Sequence, residues 1–274
     1  MKDIIGQTKL VNKLSGYSFN SMPKTMLLIG ENGSGKHFIT KKFVEYLGVV
    51  LQEITAQTTA DQLVEYFQNS IQTVYILNLS EIPERQQHKY LKFIEEPSSN
   101  MRVILLAESE VGILPTILNR CVKFVLEDYT VEQLKQLSWA TQVDNPIIYD
   151  ICKTPGQLLN LAQIDNLGAL KDFCINILKV APMAEYGPFM GFNCGINYKD
   201  NFKKFDPDIF LNLLIKTAYE FYVSPYLTTN QGLYFKVYCY LIRRKQQLIN
   251  KTLSKESFML NTLDELWRLV HGIK

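Results

Sequence analysis

Paired cysteines, long apolar runs and an excess of charge of one sign are all scarce in this sequence. The cysteines stand singly, with no C-x-x-C pair: Cys121, Cys152, Cys174, Cys194 and Cys239. This spacing argues against a zinc knuckle or a dithiol redox motif and fits buried thiols in a reducing cytosol. No apolar run reaches the ~20 residues of a membrane span, and the first ten residues contain no signal-peptide core. We therefore expect a cytoplasmic protein.

The charge is nearly balanced, with a formal net charge of +2 over 274 residues. A free-standing nucleic-acid binder is usually more basic, so we expect any DNA contact to be local or shared with partners. A hydrophobic content of 47% is ordinary for a globular chain, and the length allows two or three domains.

Short apolar runs alternate with amphipathic stretches over the first 125 residues. The runs predict strands at 24–30, 49–54, 73–82, 102–109 and 121–127, and the stretches between them predict helices at 35–48, 59–70 and 84–96. This alternation indicates a parallel sheet that is covered on both faces. Past residue 128 only helices are predicted, with a glycine-rich loop at 187–202. We expect an α/β domain at 1–127, a small helical domain at 128–165 and an all-helical domain at 166–274.

The segment GENGSGKH, at 30–37, fits a phosphate-binding loop between a strand and a helix. Its glycines allow several N–H groups to point into one concavity, the helix dipole adds positive charge, and the lysine faces the outer phosphates. The candidate nucleotide-binding residues are Gly30, Gly33, Ser34, Gly35, Lys36 and His37.

The groups that would hold Mg²⁺ are missing from the sequence. His37 replaces the Ser or Thr hydroxyl that ends the motif, and Asn78 and Leu79 stand where an Asp-Glu pair is expected after a neighbouring strand. Glu81 either substitutes for the missing acid or is an exposed loop residue. We therefore predict no metal site and no required cofactor, with ATP or ADP bound weakly, if at all, and without productively placed Mg²⁺.

Four segments, in order along the chain, resemble those of bacterial DNA polymerase III clamp-loader subunits, which are AAA+ proteins. They are IIGQTKLVNKL (4–14), YLKFIEEPSSNMRVILLAE (90–108), LPTILNRCVKF (114–124) and TPGQLLNLAQ (154–163). The resemblance implies an AAA+ P-loop domain, a small helical domain and a helical collar for oligomerisation. A kept phosphate loop with lost acidic groups is similar to the delta-prime type of subunit.

The resemblance also implies a role and partners. The expected role is scaffolding of the loader ring for sliding-clamp loading in DNA replication, without intrinsic ATPase activity, as a component of the DNA polymerase III holoenzyme. The implied partners are gamma/tau-type motor subunits and a delta-type subunit, with the sliding clamp and primer-template DNA inside the complex.

Arg120 is the candidate catalytic residue, acting in trans. From the residues alone it reads as a structural arginine before the last strand, paired with a nearby acid. The NRC segment, similar to the family's SRC, implies instead an arginine finger that enters the ATP site of an adjacent subunit.

Other interpretations stay open at this point. One is an active AAA+ motor, either a loader ATPase or a helicase loader; another is a small-molecule P-loop kinase, although no arginine-rich lid is visible. The polar sensor of such ATPases falls near Glu108 and Ser109, and a second sensor arginine is absent near Leu158 and Leu159.

The helical part of the chain offers further charged and apolar residues. The cluster Arg243, Arg244 and Lys245 reads mainly as a solvated face, with subunit or DNA contact as alternatives. Lys199, Lys203 and Lys204 are equally ambiguous, and Asp206 is predicted to cap a helix. The apolar stripe Phe210, Leu213, Ile215, Ala218 and Phe221 is predicted to be core.

Overall fold

The computed structural model describes residues 1, 4–138, 146–163, 167–186, 189, 207–225, 230–248 and 255–273. The predictions for Cys194, Lys199, Lys203, Lys204 and Asp206, and for nearly all of the 187–202 loop, lie outside these residues.

The chain divides into two compact units. One comprises Met1–Val143 with Lys153–Asn160, and the other comprises Asp144–Cys152 with Leu161–Lys274. The three-domain division at residues 127 and 165 stays a prediction.

The first unit is built on a five-stranded, fully parallel sheet. Its strands are β1 (Thr25–Ile29), β2 (Val50–Ile54), β3 (Thr73–Asn78), β4 (Met101–Ala107) and β5 (Val122–Val125). The order across the sheet is β2-β3-β4-β1-β5. Every residue of β1 and β4 is buried, as expected for central strands covered on both faces. The predicted α/β P-loop fold is confirmed.

Helices flank this sheet and connect its strands. Their bounds are α1 Thr8–Ser15, α2 Lys36–Leu47, α3 Ala60–Gln68, α4 Glu84–Gln87, α5 Leu91–Glu95, α6 Pro115–Leu118 and α7 Val131–Ser138. Thr59 and Thr130 each form a capping box, with Gln62 and Gln133 respectively. These reciprocal bonds fix where α3 and α7 begin.

The single helix predicted at 84–96 is divided by a 3₁₀ turn at His88–Tyr90. Buried Gln87 lies at the break, where its side chain donates to the carbonyls of Ile82 and Gly112 and accepts from the N–H of Leu114. These tertiary hydrogen bonds override the helical periodicity that the sequence shows.

Alternate strand residues supply two cores, one on each face of the sheet. Leu27, Tyr75 and Leu105 belong to one core, and Met26, Ile76 and Ile104 belong to the other, which also contains residues of α1 and α2. Phe38 is 52% exposed; it lies in the first turn of α2 and lines a cavity.

The second unit is helical throughout its described part. Its helices are α8 Pro146–Ile151, α10 Leu167–Val180, α11 Pro207–Val223, α12 Gln231–Leu248 and α13 Lys255–His271, while the residues of α9 (Pro155–Ala162) are divided between the two units. In α11 the predicted stripe is confirmed as core for Phe210, Leu213 and Ala218. No helix in the described ranges has both the length and the apolar character needed to cross a membrane.

The solvated-face prediction for residues 243–245 is wrong for Arg244, although Arg243 is exposed. Arg244 is buried: its Nε donates to Thr262 Oγ1 at 3.1 Å, and its guanidinium lies over the Phe258 ring. Helix periodicity places consecutive residues about 100° apart, so a run of three charges cannot share one exposed face.

Candidate functional site

The first unit contains a cavity of about 530 Å³ at the carboxyl edge of the sheet. Its walls come from the loop before α2, from the residues that follow β3 and β4, and from the starts of the chain and of α9. The carboxyl edge is where open parallel sheets bind ligands, and the volume suits a drug-sized molecule.

The predicted phosphate loop forms one wall of this cavity. Gly33 and Gly35 have φ angles of +76° and +88°, a region that L side chains rarely adopt. Gly33, Ser34, Gly35, Lys36 and His37 all line the cavity, and the first N–H groups of α2 have no acceptor within the helix. Ser34 Oγ is buried with no hydrogen-bond partner among the described residues. These features fit a phosphate group.

A turn at the start of α9 braces the loop from outside. The N–H of Gly156 donates to the carbonyl of Gly33 at 2.9 Å, and Thr154 Oγ1 donates to the carbonyl of Asn32 at 3.0 Å. A Cβ at Gly156 would lie 2.5 Å from the Cα of Gly33. The two backbones therefore touch, and only glycine fits at residue 156.

Lys36 is folded back onto the loop that precedes it. Its Nζ donates to the carbonyls of Gly30 and Glu31, at 2.6 and 2.9 Å. An ammonium group has three donors, so one remains for a ligand. Burial lowers the pKa of Lys36, and the carboxylates of Glu108 and Glu31 oppose that shift.

His37 occupies the position of the metal-binding hydroxyl, and its ring points to a carboxylate outside the cavity wall. His37 Nε2 lies 3.1 Å from Glu53 Oε1, and Lys41 Nζ lies 3.2 Å from the same oxygen. The hydrogen bond with His37 is the main cause that lowers the pKa of Glu53. His37 thus has a structural partner on β2.

Asn78, at the end of β3, is likewise hydrogen-bonded to a glutamate. Its Nδ2 donates to Glu81 Oε1 at 2.6 Å, which places the Glu81 carboxylate beside the end of β3. Leu79 is 3% exposed and packs into the core. Over the described residues there is no group of three or more His, Cys, Asp and Glu side chains that could hold a metal ion. Neither His37 nor Asn78 offers Mg²⁺ the hydroxyl or carboxylate oxygen that a phosphate-loop site uses at these two positions.

Much of the remaining cavity lining is apolar. Ile4, Ile5, Tyr129, Leu137 and Leu159 line it. This composition fits the base and ribose of a nucleotide better than it fits charged groups.

Hydrogen bonds hold the apolar wall together. Gln7 exchanges hydrogen bonds with the backbone of Glu127, which fixes the chain start beside the end of the sheet. The Tyr129 hydroxyl donates to the carbonyl of Ser34, which ties this wall to the phosphate loop.

Glu108 lies at the phosphate end of the cavity, directly after β4. Its N–H donates to Ser80 Oγ at 3.0 Å, and the N–H of Gly30 donates to the carbonyl of Ala107 at 3.1 Å. These bonds fix the Glu108 backbone beside the phosphate loop. At the positions where a second sensor arginine was sought, Leu158 is buried and Leu159 lines the cavity.

Arg120 lies at the amino ends of the strands, whereas the cavity lies at their carboxyl ends. It precedes the amino end of β5, whereas the phosphate loop follows the carboxyl end of β1, and the two strands are parallel neighbours. A strand of this length separates the two edges by ~15 Å. Arg120 Nε lies 3.0 Å from Glu95 Oε1, and Nη1 donates to the carbonyl of Thr116 at 2.9 Å. Arg120 therefore pairs with an acid and does not line the cavity of its own chain.

Sequence reasoning missed several residues of this site. Tyr129, Thr154, Gly156 and Glu53 contact the phosphate loop or His37 across long stretches of sequence. The TPG triplet at the start of α9 was a local signal for a turn, but nothing local indicated that this turn reaches Gly33.

Comparisons with known proteins agree with this fold. The sequence profile of a family described as "DNA polymerase III, delta subunit" matches residues 51–130. The RuvB Holliday junction branch migration motor of Thermotoga maritima is similar in structure over 77% of this chain and 89% of its own, with 14% identity and a TM-score of 0.50. Among curated proteins, none matches this sequence.

A second solved structure is a DNA polymerase III gamma subunit-related protein from Thermotoga maritima. It matches over 96% of this chain and 99% of its own length, with 14% identity and a TM-score of 0.42. At these identities the structural likenesses establish the fold alone, and only the RuvB match reaches a TM-score of 0.50. The chain thus has an AAA+ P-loop fold, and its residues 51–130 match the sequence pattern of a DNA polymerase III subunit family.

Proposed function

We propose that this chain is a non-hydrolysing subunit of a DNA polymerase III clamp loader, of the delta-prime type. It scaffolds the loader ring in the cytoplasm and completes the ATP site of a neighbouring gamma/tau-type motor subunit with Arg120. A delta-type subunit is its other partner, and the sliding clamp and primer-template DNA are met inside the complex. Residues 166–274 serve as the collar through which the subunits assemble.

The proposal depends most on the identity and the hydrogen bonds of His37 and Asn78. Both positions that would face Mg²⁺ hold nitrogen-bearing side chains, and each is hydrogen-bonded to a glutamate. Phosphoryl transfer depends almost entirely on positioning and on charge neutralisation by the metal. Any catalytic contribution of this chain is therefore made at a site on another subunit.

The position of Arg120 supports this assignment. It is too far from the chain's own phosphate loop to act there, and its side chain is 42% exposed. A guanidinium has five N–H donors, and the contacts with Glu95 and Thr116 use two of them. The remaining donors can meet a phosphoryl group supplied by an adjacent subunit, while Glu95 holds the side chain in one orientation.

The test is Arg120→Ala in the assembled loader, measured as DNA-stimulated ATP turnover. Arginine fingers contribute on the order of 10³-fold or more at the site they complete, so we expect the turnover of that one neighbouring site to be lost. Arg120→Lys keeps the charge but not the planar fork and is expected to fail as well. Arg85→Ala, which removes an exposed arginine from α4, is the matched control.

Size-exclusion chromatography separates the finger from a purely structural arginine. We expect Arg120→Ala to assemble normally with its partner subunits. Unchanged turnover in a normally assembled complex would remove the finger role. Failure of the wild-type chain to associate with loader subunits would overturn the proposed function as a whole.

A further inference from the structure

The phosphate end of the cavity contains a carboxylate at the place where nucleotide phosphates would bring negative charge. Among the described residues lining the cavity, Lys36 is the permanent cation and Glu108 is the anion. Sites that bind nucleoside triphosphates surround the outer phosphates with cations and metal. In this cavity the positive charge of Lys36 is already balanced by the negative charge of Glu108.

The ammonium of Lys36 has little capacity left for a ligand. Two of its three donors are used by the carbonyls of Gly30 and Glu31. The carboxylate of Glu108 acts on Lys36 more strongly than that of Glu31 does. The lysine of such a loop contacts the outer phosphates, so a carboxylate that acts on Lys36 also acts on the outer phosphates of a bound triphosphate.

The position of Glu108 is set by the backbone and not by a mobile loop. Its N–H is bonded to Ser80 Oγ, and the preceding residue pairs with Gly30. The Glu108 backbone therefore stays beside the phosphate loop, and its side chain lines the cavity there. Neither His37 nor Asn78, which are bonded to Glu53 and Glu81, supplies the hydroxyl or carboxylate ligand through which Mg²⁺ would offset the repulsion between this carboxylate and the phosphates.

We propose that Glu108 makes this cavity selective for a nucleoside diphosphate over a triphosphate, with binding that needs no divalent metal. The glycine loop and the N-terminus of α2 hold the two phosphates, the apolar wall holds the base, and Glu108 disfavours a third phosphate. The inference deepens the proposed function, on which it rests: a non-hydrolysing subunit keeps a fixed, product-like ligand.

The experiment is isothermal titration of the purified full chain with ADP and with ATP, each in EDTA and in Mg²⁺. For the wild type we expect ADP to bind about tenfold more tightly than ATP, since two like charges a few ångströms apart at a protein surface repel by this order. Glu108→Gln is expected to remove the difference. Added salt is expected to narrow the difference in the wild type, because the repulsion is screened.

Glu110→Gln is the matched control. Glu110 lies two residues away, pairs with Lys123 outside the cavity and is similarly exposed; its loss changes the net charge equally. We expect this variant to keep the wild-type preference for ADP.

Three results would overturn the inference: equal affinity of the wild type for the two nucleotides, a preference that persists in Glu108→Gln, or no ADP binding by the wild type. The last of these leaves the proposed function standing, because Arg120 acts at a neighbouring subunit whether or not this cavity is filled. Conversely, an inert Arg120 in an assembled loader would not alter the ADP preference.

Discussion

The two sides of the candidate phosphate site differ in the groups that form them. The loop at 30–36 works through backbone N–H groups and a helix terminus, and it keeps its left-handed glycines and its brace. The end of β3 and the start of α2 would bind Mg²⁺ through side-chain oxygens. His37 and Asn78 occupy these positions, and they are hydrogen-bonded to Glu53 and Glu81. A site built from backbone persists as long as the fold does, whereas a site built from side chains is lost by two substitutions.

Gly156→Ala disrupts the contact that supports the phosphate loop, and we expect it to have the largest effect. Its Cβ would lie 2.5 Å from the Cα of Gly33, where the obstacle is backbone and cannot rotate away. We expect a loss of about 2–3 kcal/mol in the free energy of unfolding, measured by urea denaturation.

Gly168→Ala is the control for that experiment, because nothing lies within 4 Å of its added Cβ. It lies in α10, where replacing glycine favours the helix, so we expect it to be neutral or slightly stabilising. Similar losses in both variants would show that the contact between Gly33 and Gly156 does not brace the loop.

The double change His37→Thr with Asn78→Asp restores the two missing Mg²⁺ ligands. It returns two oxygen ligands to the positions where Mg²⁺ is held in hydrolysing relatives of the fold. We expect Mg²⁺ to raise the affinity of the variant for ATP about tenfold and to leave the parent unchanged, as measured by titration calorimetry. An equal response to Mg²⁺ in both proteins would mean that the parent already holds the metal.

Thr154→Val removes a side-chain part of the brace. The hydroxyl donates to the carbonyl of Asn32 and accepts from the N–H of Gln157 at the start of α9. We expect a loss of about 1 kcal/mol, with Thr154→Ser close to wild type because it keeps the hydroxyl. A neutral Thr154→Val would show that water replaces both bonds.

His37→Ala has the smallest expected effect. Glu53 loses the hydrogen bond that lowers its pKa below the ordinary 4.5. A depressed carboxyl pKa stabilises the fold above pH 4.5 and ceases to do so as the pH falls through the folded-state value. The pair is half exposed, so we expect no more than a few tenths of a kcal/mol near neutral pH, vanishing toward pH 3. Thermal unfolding across pH measures this, and a difference that grows in acid would contradict it.

The sequence predicted the sheet well because strands and helices differ in apolar period, and β1, β3 and β4 are continuous buried runs. It predicted the loop because the glycine pattern is local. It failed where long-range contacts decide, because the 3₁₀ break beside Gln87 depends on Gly112 and Leu114. The pairing of Arg120 with an acid was an open alternative from the residues, but no pattern identified Glu95 as the partner.

The central claim is that this chain has a phosphate cradle without the means to hydrolyse. The most direct measurement is ATP turnover by the isolated wild-type chain in saturating ATP and Mg²⁺, with Lys36→Ala as the control for contaminating activity. We predict a rate indistinguishable from that of Lys36→Ala. Turnover in the ordinary enzymatic range of about 1 s⁻¹ or more, abolished by Lys36→Ala, would contradict the account.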